Sequence, residues 1–585
     1  MDTEPDYATL AAFVDRASAC VVDDGNPMTA EVVLGSGYEQ LHKITGVLGS
    51  RVPTSDEVNL VNAAGTDQVD IDQALAAIID GLINEEAFYT RVEEMYNDLL
   101  LTDRNAEDRD NPDNNFDLDA FVPDNYFDNW DDDAEEGANY GLAKAPLALV
   151  RYVIENDRPF TEIVTADYMM VNPFSATIFS VNPGGGGYPY SPGSNANNYD
   201  PDDFRRVNSV TQTDGDQANL PISGVLTTHA FLARYQTTST NVNRKRARFV
   251  FDYFLGVDIE GLAPRDGLDL DNVIGDVPTY EDPQCTVCHD VLDPIAGLFT
   301  KRDDRGEYDT GNRYEYTRTR SGVPRMVPAG YSMDPADALP NGDNNLEPLI
   351  FLGQRIAADD RFADKTVRVV LKGLTRIDSR SPAVNTFVND TKARFAGSNY
   401  NFKALVKDIV LSDYFRAQNL ADTVSPAQYA DLGTGRLITP EELRRKILAV
   451  TGGAYDWRGP NSNSGLTGRH YLLYGGIDSD EVIARTTSPT SLMDGIQERI
   501  ANQVACERVA DDLYNGGILF PNVDETTVPA GGEAQIRDNI VFLHRHLLGE
   551  DLAAQSAEVD ATYQVFLDVR ALGETSIPSQ CRSNN

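Results

Sequence analysis

Apolar positions near the start of the chain fall on helical spacing. Tyr38, Leu41, Ile44 and Leu48 recur on one face of a helix. Pro53-Thr54-Ser55-Asp56-Glu57 then reads as a helix start, with Thr54 or Ser55 as N-cap and acids in the first turn. The run Ala74–Leu101 predicts one longer helix. Helical patterns resume at Leu142–Glu155, Leu226–Tyr235 and Arg244–Leu255, and again at Leu346–Ala358, Ala363–Leu374 and Phe402–Leu411. A linker around Ser425–Leu437 precedes Thr439-Pro440-Glu441-Glu442. This places a cap, a proline at the first helical position and two acids in succession. The fold class read from this pattern is mainly α, multidomain and loop-rich.

Two stretches break the pattern. Asp103 to Glu136 holds fourteen carboxylates against two arginines, interleaved with Phe116, Phe121, Tyr126, Phe127 and Trp130. Its aromatic content argues for a packed, irregular excursion rather than a disordered tail. Hard oxygen ligands of this kind can bind Ca2+, but the glycine and terminal Glu of an EF-hand loop are missing, and a solvated acidic loop is the plainer reading. Asn182–Asp203 is rich in Gly, Pro and Asn. Its four consecutive glycines lack the Lys-Ser/Thr of a phosphate-binding loop, so a flexible surface loop is expected. Asp478–Glu481 reads as an acidic helix start.

Composition narrows the class. The 585 residues are 41% apolar, enough for several cores, and the net charge is −43. Such a surface repels nucleic acid and anionic membranes, and it suits a basic protein partner or saline surroundings. No run is long enough to span a bilayer. The first twenty residues have neither the basic start nor the apolar stretch of a signal peptide, so an exported protein would be represented here in its mature form.

The five cysteines are Cys20, Cys285, Cys288, Cys506 and Cys581, too few and too scattered for a disulfide scaffold. One pair among Cys20, Cys506 and Cys581 can bridge in an oxidising compartment. Cys285 and Cys288 belong to Gln284–Asp290, QCTVCHD. The spacing C-x-x-C-H is that of covalent haem attachment: two thiols one helical turn apart form thioethers with the vinyl groups, and His289 is the proximal iron ligand. The same cysteines read alone as a redox dithiol or as half a zinc site, although no second C-x-x-C exists. Among the other histidines, His544 and His546 lie two apart and cannot share a helix face, and His42 and His470 have no obvious partners. No H-E-x-x-H, G-x-S-x-G or Walker motif is present.

The flanks of the motif carry a resemblance. Cys285–Tyr308, CTVCHDVLDPIAGLFTKRDDRGEY, resembles the haem-motif module of the planctomycete-type cytochrome c-associated proteins. In that module C-x-x-C-H is followed by D-P, a hydrophobic turn and an acid-x-x-G-x-aromatic string. Here these are Asp293-Pro294, Leu298-Phe299 and Asp303/Asp304-Arg305-Gly306-Glu307-Tyr308, with Ile295-Ala296-Gly297 where the family has glycine directly after D-P. Gly224–Ala233, Arg244–Gly256, Ile44–Val58 and Asn401–Arg416 are similar to further family segments, so the resemblance runs in patches from about Leu41 to Arg416.

The resemblance implies one covalent haem c, extracytoplasmic use and a cytochrome c-like module between larger helical domains. The chain then divides into an N-terminal helical domain with its acidic excursion (1–140), a central helical region with the Gly/Pro-rich loop (141–260), the haem-binding module (261–425) and a C-terminal helical domain (430–585). The family's M-x-x-P-G-F string corresponds to Met326-Val327-Pro328-Ala329-Gly330-Tyr331 and implies Met326 as distal ligand. Met333, His229 and an open sixth position are the alternatives. A mono-haem electron-transfer cytochrome of the periplasm or cell surface, with a redox partner that is basic, is the leading expectation. A peroxidase- or oxygenase-type haem enzyme and a haem-bearing, self-associating surface protein are the other two.

Overall fold

The computed structural model describes residues 32–105, 116, 129–211, 219–238, 240–262, 274–275, 278–308, 319–320, 323–324, 347–376, 378, 382–420, 436–453, 465–466 and 468–573. The chain is mainly helical. Among the described residues the strands form short antiparallel pairs: Val32–Leu34 with Ala417–Leu420, Met169–Val171 with Arg205–Val207, and Thr319–Arg320 with Val323–Pro324. The first of these ties the early chain to a segment nearly four hundred residues later.

The N-terminal helices begin where their caps dictate. Ser36 and Glu39 form a capping box at Gly37–Leu48, and Thr54 and Glu57 form another at Ser55–Ala64. The single long helix expected over Ala74–Leu101 is instead two, Gln68–Leu82 and Glu86–Leu100. At the break, Asn84 and Glu85 turn back on the Gly81 and Leu82 carbonyls, and the Asn84 side chain takes the Asp80 carbonyl. Arg51 then holds Glu85 together with Glu57. Residue propensities favour continuation, but local and tertiary hydrogen bonds end the first helix and restart the second.

The helix Asp132–Glu155 runs through the middle of the molecule, capped by Asp131. Gly141 lets it approach closely, since a Cβ there would overlap the Asn172 side chain. One continuous core draws residues from Leu41 to Phe415, including Leu75, Val92, Val150, Phe160, Phe231, Phe254, Phe299, Val370 and Val406. A second core lies beside it, built from Trp130, Phe174, Tyr190, Val210 and Tyr308 among others. Two small clusters stabilise the C-terminal part, around Ile447 and Ile496 and around Ile540 and Tyr563.

One further expectation is refined and one is corrected. The Gly/Pro-rich segment lies at the surface as expected, with Gly184–Gly187 exposed, but it is anchored. Tyr188 and Tyr190 are buried in the second core, and Tyr190 donates its backbone N–H to the Pro173 carbonyl. The aromatic residues among the glycines supply the burial that the glycines cannot. Asp478–Glu481 starts no helix; the Asp478 carboxylate accepts from the backbone of Asp480 and Val482, closing a local turn instead.

Between the main body and the C-terminal helices lies a joint of ion pairs. The helix Pro440–Thr451 starts as expected, with Thr439 and Glu442 forming a capping box. Glu442 is buried and is shared by Arg91, Arg376 and Arg436. Glu441 pairs with Arg485, which also grips Asp98, and Arg445 reaches Glu94.

Candidate haem site

The motif lies on the helix Pro283–Gly297. Its start is fixed by Asp282, fully buried, whose carboxylate accepts the N–H of Gln284 at 2.8 Å and of Ile274 at 2.7 Å. Pro283 occupies the first helical position, where its missing N–H costs nothing. Cys285, Cys288 and His289 follow within the first two turns of this helix.

Both thiols are free. Cys288 packs on the main core and directs its Sγ to the Ile259 carbonyl at 3.3 Å. Burial pushes the Cys285 thiol up, assisted by the Asp282 charge, and burial does the same for Cys288, assisted by Cys285 and Asp258. Among the described residues no three His, Cys, Asp or Glu side chains converge to hold a bare metal ion.

His289 is oriented by a carboxylate on its own helix. Its Nδ1 lies 3.1 Å from Oδ1 of Asp293, one turn on. Asp293 is buried and is held in turn by Arg244, whose Nε and Nη2 donate at 2.6 and 2.9 Å. Burial would raise the Asp293 carboxyl, but the bonds from His289 and Arg244 outweigh it and hold the pKa below its usual value. With Nδ1 engaged as a donor, the Nε2 lone pair is the one left to a metal, which is how a carboxylate fixes the tautomer of a ligating histidine. Around the motif, the side chains of Val287, Val291, Leu262 and Ile274 are exposed. A free thiol pair, a histidine with one nitrogen committed and an uncovered apolar margin fit a haem attached through Cys285 and Cys288 and bound by His289.

Three of the segments quoted for the resemblance, Gly224–Ala233, Arg244–Gly256 and Cys285–Tyr308, meet at a buried arginine behind this helix. Arg246 is fully buried on the helix Arg244–Leu255. It donates to the carbonyls of Leu232 at 2.8 Å, Arg302 at 3.2 Å and Asp303 at 2.6 Å, and to Asn243 Oδ1 at 3.0 Å. The turn it holds is Asp303–Tyr308, where the Asp303 carboxylate accepts the N–H of Arg305 and Glu307. Gly306 adopts φ +91° against Leu232, a conformation and an approach that a side chain would block. Arg302 stacks over Tyr308 with its guanidinium 4.8 Å from the ring centre.

Met326 and Met333 lie outside the described residues, as do Cys20 and Cys581 and most of the acidic stretch expected as a Ca2+ candidate. Cys506 is disulfide-bonded. His229 is buried beside the Phe116 ring, with centroids 4.6 Å apart, and burial with the Arg246 charge lowers its pKa to about 3. His544 and His546 go separate ways, to Glu550 at 2.6 Å and to the Val450 carbonyl at 2.9 Å. His42, for which the sequence offers no partner, faces the His546 carbonyl at 3.4 Å. The partnership of Asp293 and Arg244 with His289 is the feature that sequence reading missed. The i, i+4 spacing of His289 and Asp293 on one helix is the signal that reveals it. Compared with known protein families, curated proteins and solved structures, the chain matches none.

Proposed function

We propose that this protein is an extracytoplasmic mono-haem c-type cytochrome of the planctomycete-type cytochrome c-associated kind, acting in electron transfer. The observation that carries the reading is the set Cys285, Cys288 and His289 on one helix, with both thiols free and the imidazole committed through Nδ1 to Asp293. Bound there, haem supplies a one-electron couple. The chain's own part is to anchor it through the two sulfurs, to orient the imidazole through Asp293 and Arg244, and to keep apolar side chains around the attachment helix. Met326 is the proposed distal ligand.

Other features support the setting. The disulfide at Cys506 fits an oxidising compartment. Among the described residues no helix is long and apolar enough to cross a membrane. A net charge of −43 favours a basic redox partner through long-range attraction. The test is a pyridine haemochrome assay on protein matured in a host that attaches haem c, followed by oxidised and reduced spectra. A methionine–iron charge-transfer band supports the relay.

A second reading, a haem enzyme, draws on Asp293. A buried carboxylate on the proximal imidazole increases its electron donation and stabilises the ferric state, which suits an open sixth position. Exogenous ligands such as cyanide bind quickly if that position is open and slowly if Met326 fills it.

A further inference from the structure

The helix Pro529–Leu543 runs on into a five-residue π turn, His544–Leu548, a wide turn of the kind that recurs at functional sites. Gly549 stops it at φ +78°, a conformation that a side chain resists, and a Cβ there would also overlap the His42 ring. The chain then reverses. Gly549 donates its N–H to the Arg545 carbonyl, and Glu550 donates its own to the His544 carbonyl. This reversal sets the Glu550 side chain against the imidazole six residues back.

His544 lies between two partners. Its Nδ1 is 2.6 Å from Oε2 of Glu550, and its Nε2 is 3.1 Å from Oγ1 of Thr562 on the helix Ala557–Ala571. An ionised carboxylate only accepts, so Nδ1 carries the proton and donates to Glu550. In the neutral ring Nε2 then holds the lone pair, and the Thr562 hydroxyl donates to it. Helical threonines elsewhere in the chain, Thr90 and Thr366, turn their hydroxyls back to the carbonyl four residues earlier. Thr562 turns to the imidazole instead. A hydroxyl on an imidazole that is itself set by a carboxylate is the arrangement that activates a weak nucleophile. The three groups are open to a ligand: the His544 and Glu550 side chains are 17% and 42% exposed, and Thr562 is half-buried.

An apolar strip begins beside the hydroxyl. Val559 and Tyr563 hold the helix Ala557–Ala571 on the small core with Ile536 and Ile540, and Asp560 pairs with Arg537. Val565, Val569 and Leu572 are exposed. They follow Thr562 by three, seven and ten residues, the spacing of one helix face. At 1.5 Å per residue the strip runs for about 15 Å, the length of a medium acyl chain.

We propose that Thr562, His544 and Glu550 form a second active site, which hydrolyses carboxylic esters whose apolar acyl chain lies along Val565, Val569 and Leu572. Thr562 Oγ1 attacks the acyl carbon while its proton passes to His544 Nε2. The bond from the acyl carbon to the alcohol oxygen breaks, and the alcohol leaves with that proton. Water then gives one proton to His544 Nε2 and its oxygen to the acyl carbon. The acid departs, and His544 returns the proton to Thr562 Oγ1. Glu550 is a positioning residue: it fixes the tautomer and offsets the charge that His544 gains. The site shares no residue with the proposed haem attachment and does not depend on it.

The test uses the full chain with p-nitrophenyl acetate and p-nitrophenyl octanoate. Release of p-nitrophenol is followed, and the protein is then digested and its peptides mapped by mass. The expected result is a burst that is faster with octanoate, and an octanoyl group on the peptide that carries Thr562. Thr562→Val keeps the shape and should abolish both burst and adduct; Thr562→Ser should restore them. His544→Gln should slow acylation by about a hundredfold or more. Glu550→Gln should slow it at least about tenfold with KM unchanged, a split that a loosened fold would not give. Val569→Lys should remove the preference for octanoate. No adduct on the Thr562 peptide of the wild-type chain, a burst unchanged in Thr562→Val, or acetate reacting as fast as octanoate overturns the proposal.

Discussion

The Nδ1 of His289 lies 3.1 Å from Oδ1 of Asp293, and the same oxygen accepts the Nε of Arg244 at 2.6 Å. One carboxylate oxygen thus sets the imidazole while its charge is partly offset by a guanidinium. On the proposed reading the two partners tune the proximal ligand in opposite directions. Asp293→Asn keeps the shape and removes the negative charge, so the reduction potential should rise. Arg244→Gln leaves the carboxylate less compensated, so the potential should fall. Each tenfold change in relative ferrous and ferric stability is worth roughly 60 mV for a one-electron couple. Spectroelectrochemical titration reads both variants, and shifts of the same sign would contradict the assigned roles.

Arg246 joins the helix around Leu232 to the turn at Arg302–Asp303 through three backbone carbonyls. Replacing it with Met leaves these acceptors buried without their donor, at a cost of about 3 kcal/mol or more. A lower urea midpoint with an unchanged slope is the expected readout. A change within ~0.5 kcal/mol, the range of an ordinary surface substitution, would show that the turn holds without this arginine.

Glu441 and Glu442 of the ion-pair joint lend the stability an acid dependence, opposed in sign by Asp98, whose carboxyl burial raises despite Arg485. Burial alone would raise the Glu441 carboxyl, but Arg485 draws it down to about 2. Burial also opposes the ionised form of Glu442, yet Arg91, Arg436 and Arg376 hold its pKa well below the usual carboxylate range. Both folded-state pKa values lie below the unfolded one, so between them the unfolded chain binds more protons. The stabilisation is complete above about pH 4.3, the ordinary glutamate value, and is lost as the pH falls toward about 2. Glu442→Gln should reproduce part of that loss at neutral pH, on the order of 3–5 kcal/mol, because Arg91 is left buried with less compensation. Chemical denaturation across this range checks the sign; a stability that rises on acidification contradicts it.

Local signals were legible where periodicity and capping agree. The helices Arg244–Leu255 and Phe402–Leu411 appear with the bounds read from the sequence, and Thr439 caps the helix that follows it. The helix Pro382–Gly397 went unread although Val384, Val388 and Phe395 are buried along it. The break at Ile83–Glu85 was not visible either, because it depends on Arg51, more than thirty residues away. Tyr188 and Tyr190 show the same limit in a loop: glycine content predicts freedom, and only the fold reveals the core that receives the two rings. At the candidate site Cys285, Cys288 and His289 stood out by spacing alone. The Arg244 contact with Asp293 joins residues far apart in sequence and needed the packing of two helices.

The most direct test of the central claim is whether haem is covalently bound. The full chain is produced in a host that attaches haem c, unfolded and extracted with acidified solvent, and then assayed by pyridine haemochrome. The proposed function predicts haem that stays with the polypeptide and gives a c-type spectrum, one per chain. Cys285→Ala and Cys288→Ala should each leave a single-thioether spectrum, and the double variant should release the haem. Haem absent from the wild-type chain, or removed from it by the acidified solvent, would contradict the claim and leave Cys285 and Cys288 as structural thiols.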